Sequence, residues 1–297
     1  MAFVQGALLS SSGGASLCAR SRVCALVAPS GAAALRRVPA PRHVRARGVR
    51  MSTASTSAPY ECETVGEPNT LEFRLVLKQG GNTVSPWHAI PLFANDEKTL
   101  LNYINEIPKG TSAKMEIATD EPNTPIKQDV KKGALRFYKY GDSLVNYGAL
   151  PQTWEDPKEV STETGFGGDN DPVDLIDLSD TVMPMGAVYP VKVLGVLALL
   201  DEGETDWKIL AVNAADPKAS ELNDIADAEK AFPGKVSEVR EWFRMYKTAE
   251  GKGENEYAFD GEAKGKDFAM KVIMDTHESW RKLYNGETAN EDDLWIA

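Results

Sequence analysis

The spacing of apolar and polar positions predicts strands in the first part of the chain and helices in the last. Residues 71–78 alternate well enough for a strand. Residues 80–98 are Gly- and Pro-punctuated loop, and Glu97 to Glu106 reads as a short turn of helix ending at Pro108. Residues 113–117 alternate strictly, with Met115 and Ile117 on one side and Lys114 and Glu116 on the other. A second alternating piece holds Leu135, Arg136, Phe137 and Tyr138, and residues 139–168 read mostly as loop. Three further strands are expected at 173–178, 187–200 and 207–212. Helices are then expected over 219–231, stopped by Pro233, over 236–247 and over 265–285. In the second of these Val239, Trp242, Phe243 and Tyr246 fall at i, i+3, i+4 and i+7. In the third, Phe268, Val272, Trp280, Leu283 and Tyr284 face the core. Short strands followed by helices read as an antiparallel barrel or sheet with helices packed outside.

One stretch departs from this pattern. Gly168-Asp169-Asn170-Asp171-Pro172-Val173-Asp174 puts three carboxylates within six residues, directly before an apolar strand. Pro172 fixes its own φ and disfavours helix at Asp171, so the acids sit on a loop. Carboxylates this dense repel one another unless cations lie between them, and oxygen-only ligands suit Mg²⁺ or Mn²⁺. A solvated acidic turn is the plain alternative, though such a turn needs no buried strand behind it. A calcium-binding EF-hand loop is excluded. Counted from Asp169, its fifth position is Val173 and its required sixth-position glycine is Asp174.

Charge separates the first 60 residues from the rest. They hold eight arginines and no acid, with much Ala, Ser and Gly. That is the composition of an organelle transit peptide. The first nineteen residues are uncharged, which favours a chloroplast over a mitochondrion. Residues 1–52 are therefore expected to be a removed transit peptide, 53–70 an N-terminal extension and 71–297 the catalytic domain. Taking the leader's +8 from the chain's −11 leaves −19 for the body. Such a surface disfavours nucleic acid and anionic membranes. No apolar stretch is long enough to span a bilayer. Cys18 and Cys24 fall in the leader, so Cys62 alone remains and no disulfide framework exists. The expected location is the chloroplast stroma, with the mitochondrial matrix as the alternative.

Five patches of the body share one character: Lys114 with Glu116; Arg136 and Tyr147; Asp169, Asp171 and Asp174; Asp201, Asp206 and Lys208; and Tyr246 with Lys247. Any one of them reads first as solvated surface. Together they pair carboxylates that gather metals with Lys, Arg and Tyr that gather an anion, as phosphoryl chemistry needs. No Ser-His-Asp or Cys-His set competes. His43 lies in the leader, and His88 and His277 read as structural. No Walker loop is present either, since Gly261 to Gly265-Lys266 has three intervening residues rather than four.

The acidic stretch resembles the signature of the family I soluble inorganic pyrophosphatases. The resemblance runs from about Ala113 to Tyr284, and more weakly from residue 71. It is close to the eukaryotic branch through Asn146-Tyr147-Gly148-Ala149, Pro151-Gln152-Thr153-Trp154-Glu155-Asp156-Pro157, the segment 198–208, and Glu241-Trp242-Phe243-Arg244-Met245-Tyr246-Lys247. It implies an α+β, mainly β fold, a five-stranded OB-like barrel with flanking helices. It implies Mg²⁺-dependent hydrolysis of inorganic diphosphate to two phosphates by a metal-activated water, with several ions bound and Mn²⁺ as a substitute. Asp169, Asp174 and Asp206 match the principal metal ligands. Asp201 and Glu116 match ligands or water-holders for further ions, with Glu106 nearby. Asp171 matches the general base. Lys114, Arg136, Tyr246 and Lys247 match phosphate binders, with Tyr147 and Lys208 in support.

The sequence departs from animal and fungal relatives in three places. Lys109-Gly110 stands where they carry an Arg-Trp pair, the loop 140–144 is shorter and lacks their His-rich segment, and the chain stops soon after the last helix. Those features resemble dimer contacts in that branch, so a monomer is expected over a homodimer. Two other readings compete. A cation-buffering module explains the acids but not Lys114, Arg136, Tyr246 and Lys247. A phosphatase for organic phosphates calls for an apolar pocket that the sequence does not reveal.

Overall fold

The computed structural model describes residues 59–297. The expected leader and the first residues of the extension lie outside them. Nine strands of three or more residues are present among the described residues: β1 Tyr60–Val65, β2 Arg74–Gln79, β3 Leu101–Ile107, β4 Met115–Ile117, β5 Ile126–Gln128, β6 Asn146–Ala149, β7 Asp174–Asp177, β8 Val188–Asp201 and β9 Glu204–Asn213. Three α-helices follow, α1 Ile225–Ala231, α2 Lys235–Met245 and α3 Lys266–Tyr284.

Five strands close on themselves in the order β9, β7, β6, β3, β8 and back to β9. All neighbours are antiparallel except β7 and β9, which run parallel. This is the expected five-stranded OB-like barrel, with no free edge among its members. A smaller sheet of β1, β2, β5 and β4 lies beside it. β1 belongs to the expected extension, yet it pairs with β2 along its whole length, from Tyr60 opposite Gln79 to Val65 opposite Arg74.

Successive residues of the barrel strands enter two different cores. Ile176, Leu210 and Val212 point one way, with Tyr147 and Phe243. Leu175, Ile209 and Ala211 point the other way, against Ala269, Val272 and Ile273 of α3. Register shifts in β3, between Asn105 and Ile107, and in β8, between Val193 and Gly195, change which parity faces inward. Ile104 and Ile107 therefore share the inner core although they are three residues apart.

Several expected elements change. Residues 97–106 are not helical. Asn95 Oδ1 accepts from the amides of Thr99 and Leu100, closing a turn, and β3 then runs from Leu101. β3 is buried on both faces, so its period of two is hidden. β6 falls inside the expected loop for the same reason, with all four residues buried. The expected strand at 135–138 shrinks to a two-residue pairing of Ala134–Leu135 with Val130–Lys131 and one bridge from Phe137 to Ala113. α1 starts at Ile225 rather than 219, because the Asp224 carboxylate accepts from the Ile225 amide at the N-cap. α2 ends at Met245, and Tyr246–Glu250 continue as a 3₁₀ helix.

His88 and His277 are structural, as expected. His88 Nδ1 accepts from the Trp280 indole at 2.9 Å, and its Nε2 donates to the Trp295 carbonyl at 2.8 Å. His277 Nδ1 lies 2.6 Å from the Gln152 carbonyl.

Candidate active site

The acidic loop is held by its backbone. Gly168 passes so close to Glu155 that an added Cβ would lie 2.3 Å from the Glu155 carbonyl carbon and oxygen. Asn170 takes a left-handed φ of 75°. Its amide donates to the Glu155 carbonyl at 2.9 Å, and the Trp154 indole donates to its Oδ1 at 3.0 Å. The Glu155 amide in turn donates to the Asp171 carbonyl at 2.9 Å. With the backbone so engaged, Asp169, Asp171 and Asp174 can all turn their carboxylates to one cleft.

A hairpin delivers the next acids. Glu202 and Gly203, at φ 53° and 94°, form the two-residue turn between β8 and β9. It sets Asp201 opposite Glu204 and leaves Asp206 and Lys208 on one side of β9 by simple alternation. Lys208 is the register partner of Asp174 on β7. Its buried ammonium contacts Asp174 directly and Asp206 at 2.5 Å, and donates to Tyr147 Oη at 2.8 Å. Tyr147 itself donates to Asp174. Tyr147 reaches this point from β6, where an added Cβ at the neighbouring Gly148 would sit 2.1 Å from the Ile104 carbonyl oxygen. The strands close only around a glycine at that position.

Cations stand among these acids, each paired with carboxylates. Lys114 Nζ lies 2.8 Å from Glu116 and 2.8 Å from Asp129. Arg136 reaches the same Asp129 at 2.5 Å, while its Nε is buried without a hydrogen-bond partner. Lys247 contacts Asp201 and lies 3.2 Å from Glu202, and Tyr246 Oη lies 3.4 Å from Asp201. Glu106 closes the floor, its Oε1 accepting from the Ile117 amide at 2.8 Å. The cleft has a volume of about 230 Å³, and all thirteen residues singled out from the sequence line it.

Its carboxylates are electrostatically frustrated. Burial, then Asp206, Asp171 and Asp174, push the Asp169 pKa well up. Burial and Asp174 do the same to Glu106. Asp171 is reached by solvent at the mouth but has protein on its other sides. Its pKa is raised to about 7 by this desolvation and by Glu116, against the opposing effect of Lys114. Asp206 is also raised to about 7, by burial only partly offset by Lys208. Burial alone would lower the Lys208 pKa, but Asp174 and Asp206 outweigh it and hold the ammonium charged. Glu155, Asp169 and Asp206 bring carboxylate oxygens within 4.8 Å of one another, and Glu155 Oε2 is buried with no partner. An all-oxygen donor set with an orphaned buried oxygen fits a hard divalent cation.

A model of the family described as inorganic pyrophosphatase matches residues 103–281. The chain belongs to the inorganic pyrophosphatase family. As a member it is an enzyme, a hydrolase of inorganic diphosphate. It is 51% identical over 250 residues to a protein of Chlamydomonas reinhardtii named soluble inorganic pyrophosphatase 1, chloroplastic, covering 84% of this chain and 88% of that one. It is 51% identical over 239 residues to the inorganic pyrophosphatase of Debaryomyces hansenii, covering 79% and 83%. Among solved structures, the truncated vacuolar soluble pyrophosphatase of Trypanosoma cruzi in complex with PPi matches with a TM-score of 0.74. It is 44% identical, over 76% of this chain and 91% of that one.

Two acids of the site escape the sequence pattern. Asp129 joins Lys114 to Arg136, and its pKa is lowered because those two cations outweigh its burial. It stands in a short polar stretch with no distinguishing spacing. Glu155 lies within the family-like segment 151–157, but only the fold brings it to Asp169 and Asp206.

Proposed function

We propose that this enzyme splits diphosphate by direct attack of water on phosphorus, with several Mg²⁺ ions bound and no covalent phospho-enzyme. The observation that carries this reading is one cleft that gathers seven carboxylates, Glu106, Glu116, Asp169, Asp171, Asp174, Asp201 and Asp206, together with Lys114, Arg136, Lys208, Tyr246 and Lys247. Asp169, Asp174 and Asp206 would hold the principal ions, with Glu155 beside Asp169 and Asp206. Asp201, Glu116 and Glu106 would hold further ions or their waters. When bound, the ions neutralise the diphosphate oxygens and make water acidic enough to serve as nucleophile near neutral pH.

The chain's own residues do the rest. Lys114, Arg136, Tyr246 and Lys247 bind the phosphate oxygens and stabilise charge as the bridging bond breaks. The forked guanidinium of Arg136 matches two oxygens at once. Tyr147 and Lys208 orient the Asp174 carboxylate. Asp171, which solvent reaches at the mouth of the cleft, accepts the proton of the attacking water on a carboxylate oxygen. Phosphate release from diphosphate with and without Mg²⁺ tests the proposal. Equal turnover in chelator and in Mg²⁺ overturns it.

The same reading puts the mature enzyme in the chloroplast stroma as a monomer. The acid-free leader and the Chlamydomonas relative's name support the compartment. Lys109-Gly110 and the short loop 140–144 support the monomer. Removal of diphosphate there would pull forward the biosynthetic reactions that release it.

A further inference from the structure

A second cleft, of about 800 Å³, shares no lining residue with the catalytic one. Three lysines reach it from separate segments, Lys109 after β3, Lys218 before α1 and Lys235 at the start of α2. Lys235 lies 2.9 Å and Lys109 3.5 Å from Asp180, a carboxylate with 71% of its side chain exposed. Asp142 and Glu238 also line the cleft, so its rim is neutral in sum on a body that is strongly acidic elsewhere. An anion meets less repulsion here than over most of the surface.

Two features show that the cleft is more than a neutral patch. Trp242 lines it, and its indole N–H is buried beside Gly141 without a hydrogen-bond partner. A buried unpaired donor is costly and calls for an acceptor. Beside it the Tyr140 ring is 43% exposed, while Phe232 is buried beneath the Lys218 ammonium at 4.1 Å. Ammonium groups and an indole N–H bind oxyanions, while an exposed aromatic ring such as Tyr140 stacks on a planar body. The volume suits a ligand of nucleotide size.

The geometry points to a second binding site in this cleft, for an organic phosphate with a planar body such as a nucleoside monophosphate. Its phosphate would take Lys109 from Asp180 and be shared with Lys218 and Lys235, with an oxygen or ring acceptor of the ligand on Trp242. Reactions that split a nucleoside triphosphate between its first and second phosphates yield diphosphate together with a nucleoside monophosphoryl product, so ligand and substrate share an origin. The site also adjoins the catalytic one. Trp242 stacks on Tyr246 at 5.4 Å and 5° and meets Tyr138 edge-on at 4.8 Å, and both tyrosines line the catalytic cleft.

Titration calorimetry of the full chain with adenosine 5′-monophosphate tests this, with Mg²⁺ and saturating imidodiphosphate present to fill the catalytic cleft. One nucleotide per chain is expected. Adenosine alone and inorganic phosphate alone should each bind about tenfold more weakly or worse, since each keeps only part of the contacts. Lys109→Glu should weaken the nucleotide about tenfold or more while leaving diphosphate turnover in its absence unchanged. Trp242→Phe removes the N–H and keeps a ring, and should also weaken binding. Lys109 is a surface residue, so its variant decides the matter even where Trp242→Phe disturbs folding. No nucleotide binding, binding that Lys109→Glu leaves intact, or phosphate binding as tightly as the nucleotide overturns the proposal.

Discussion

Asp174 and Lys208 are register partners across the one parallel pairing of the barrel, and the Lys208 ammonium is held between Asp174 and Asp206. The lysine serves as the counter-ion of the ion-free site. Lys208→Met would leave two carboxylates facing each other in a buried place. Urea denaturation in chelator should then show a loss of about 3 kcal/mol. Saturating Mg²⁺ should return most of it by binding the native state alone. A variant as stable as the parent in chelator would mean that the pair carries no such strain.

Asp171 and Asp174 should separate on a Mg²⁺ titration. Asp171→Asn removes the proposed proton acceptor but keeps size and one coordinating oxygen. Turnover should drop by about two to four powers of ten, with Mg²⁺ affinity little changed. Asp174→Asn should weaken metal binding, and high Mg²⁺ should restore part of its activity. Rescue of the first variant and not the second would exchange the two roles.

Arg136→Lys keeps the charge and loses the forked donors. Diphosphate hydrolysis should fall by about tenfold or more while metal affinity stays near that of the parent. Unchanged activity would remove Arg136 from the substrate side.

His88 links stability to pH. Burial lowers its pKa from 6.5 to about 4, only partly opposed by its bond to Trp295. Between those values the unfolded chain takes up a proton that the native ring refuses, so stability falls as pH falls from 6.5 toward 4. The loss should reach about 3 kcal/mol. His88→Gln keeps a donor and an acceptor without titrating, so its stability curve should be flatter across that range. Parallel curves for the two proteins would exclude His88 as the cause.

Residues 1–60 fused to a fluorescent reporter should carry it into chloroplasts. A reporter that stays in the cytosol would refute the reading of the leader, and one in mitochondria would select the alternative.

The site was more legible in the sequence than the barrel that holds it. Charges at Asp169, Asp206 or Lys114 interrupt apolar runs and so announce themselves. β3 and β6, two of the five barrel strands, do not, because both of their faces are buried and no polar side marks the period. Residues 97–106 read as a turn of helix, whereas a turn closed by the Asn95 side chain leads straight into β3. Asp129 and Glu155 were hidden for another reason. Their partners, Lys114 and Arg136 for the one, Asp169 and Asp206 for the other, meet them only through tertiary structure.

The two-sided strands also restrict which insertions and deletions the gene can accept. In β9 the even-numbered residues carry Asp206 and Lys208 into the cleft and Leu210 and Val212 into the inner core, while Ile209 and Ala211 meet the layer beneath α3. A single codon gained within β9 would rotate both sets at once, sending a carboxylate and an ammonium under the helix and apolar groups into the cleft. Length changes should therefore be confined to loops such as 139–144, or occur in β8 and β9 in steps of two residues.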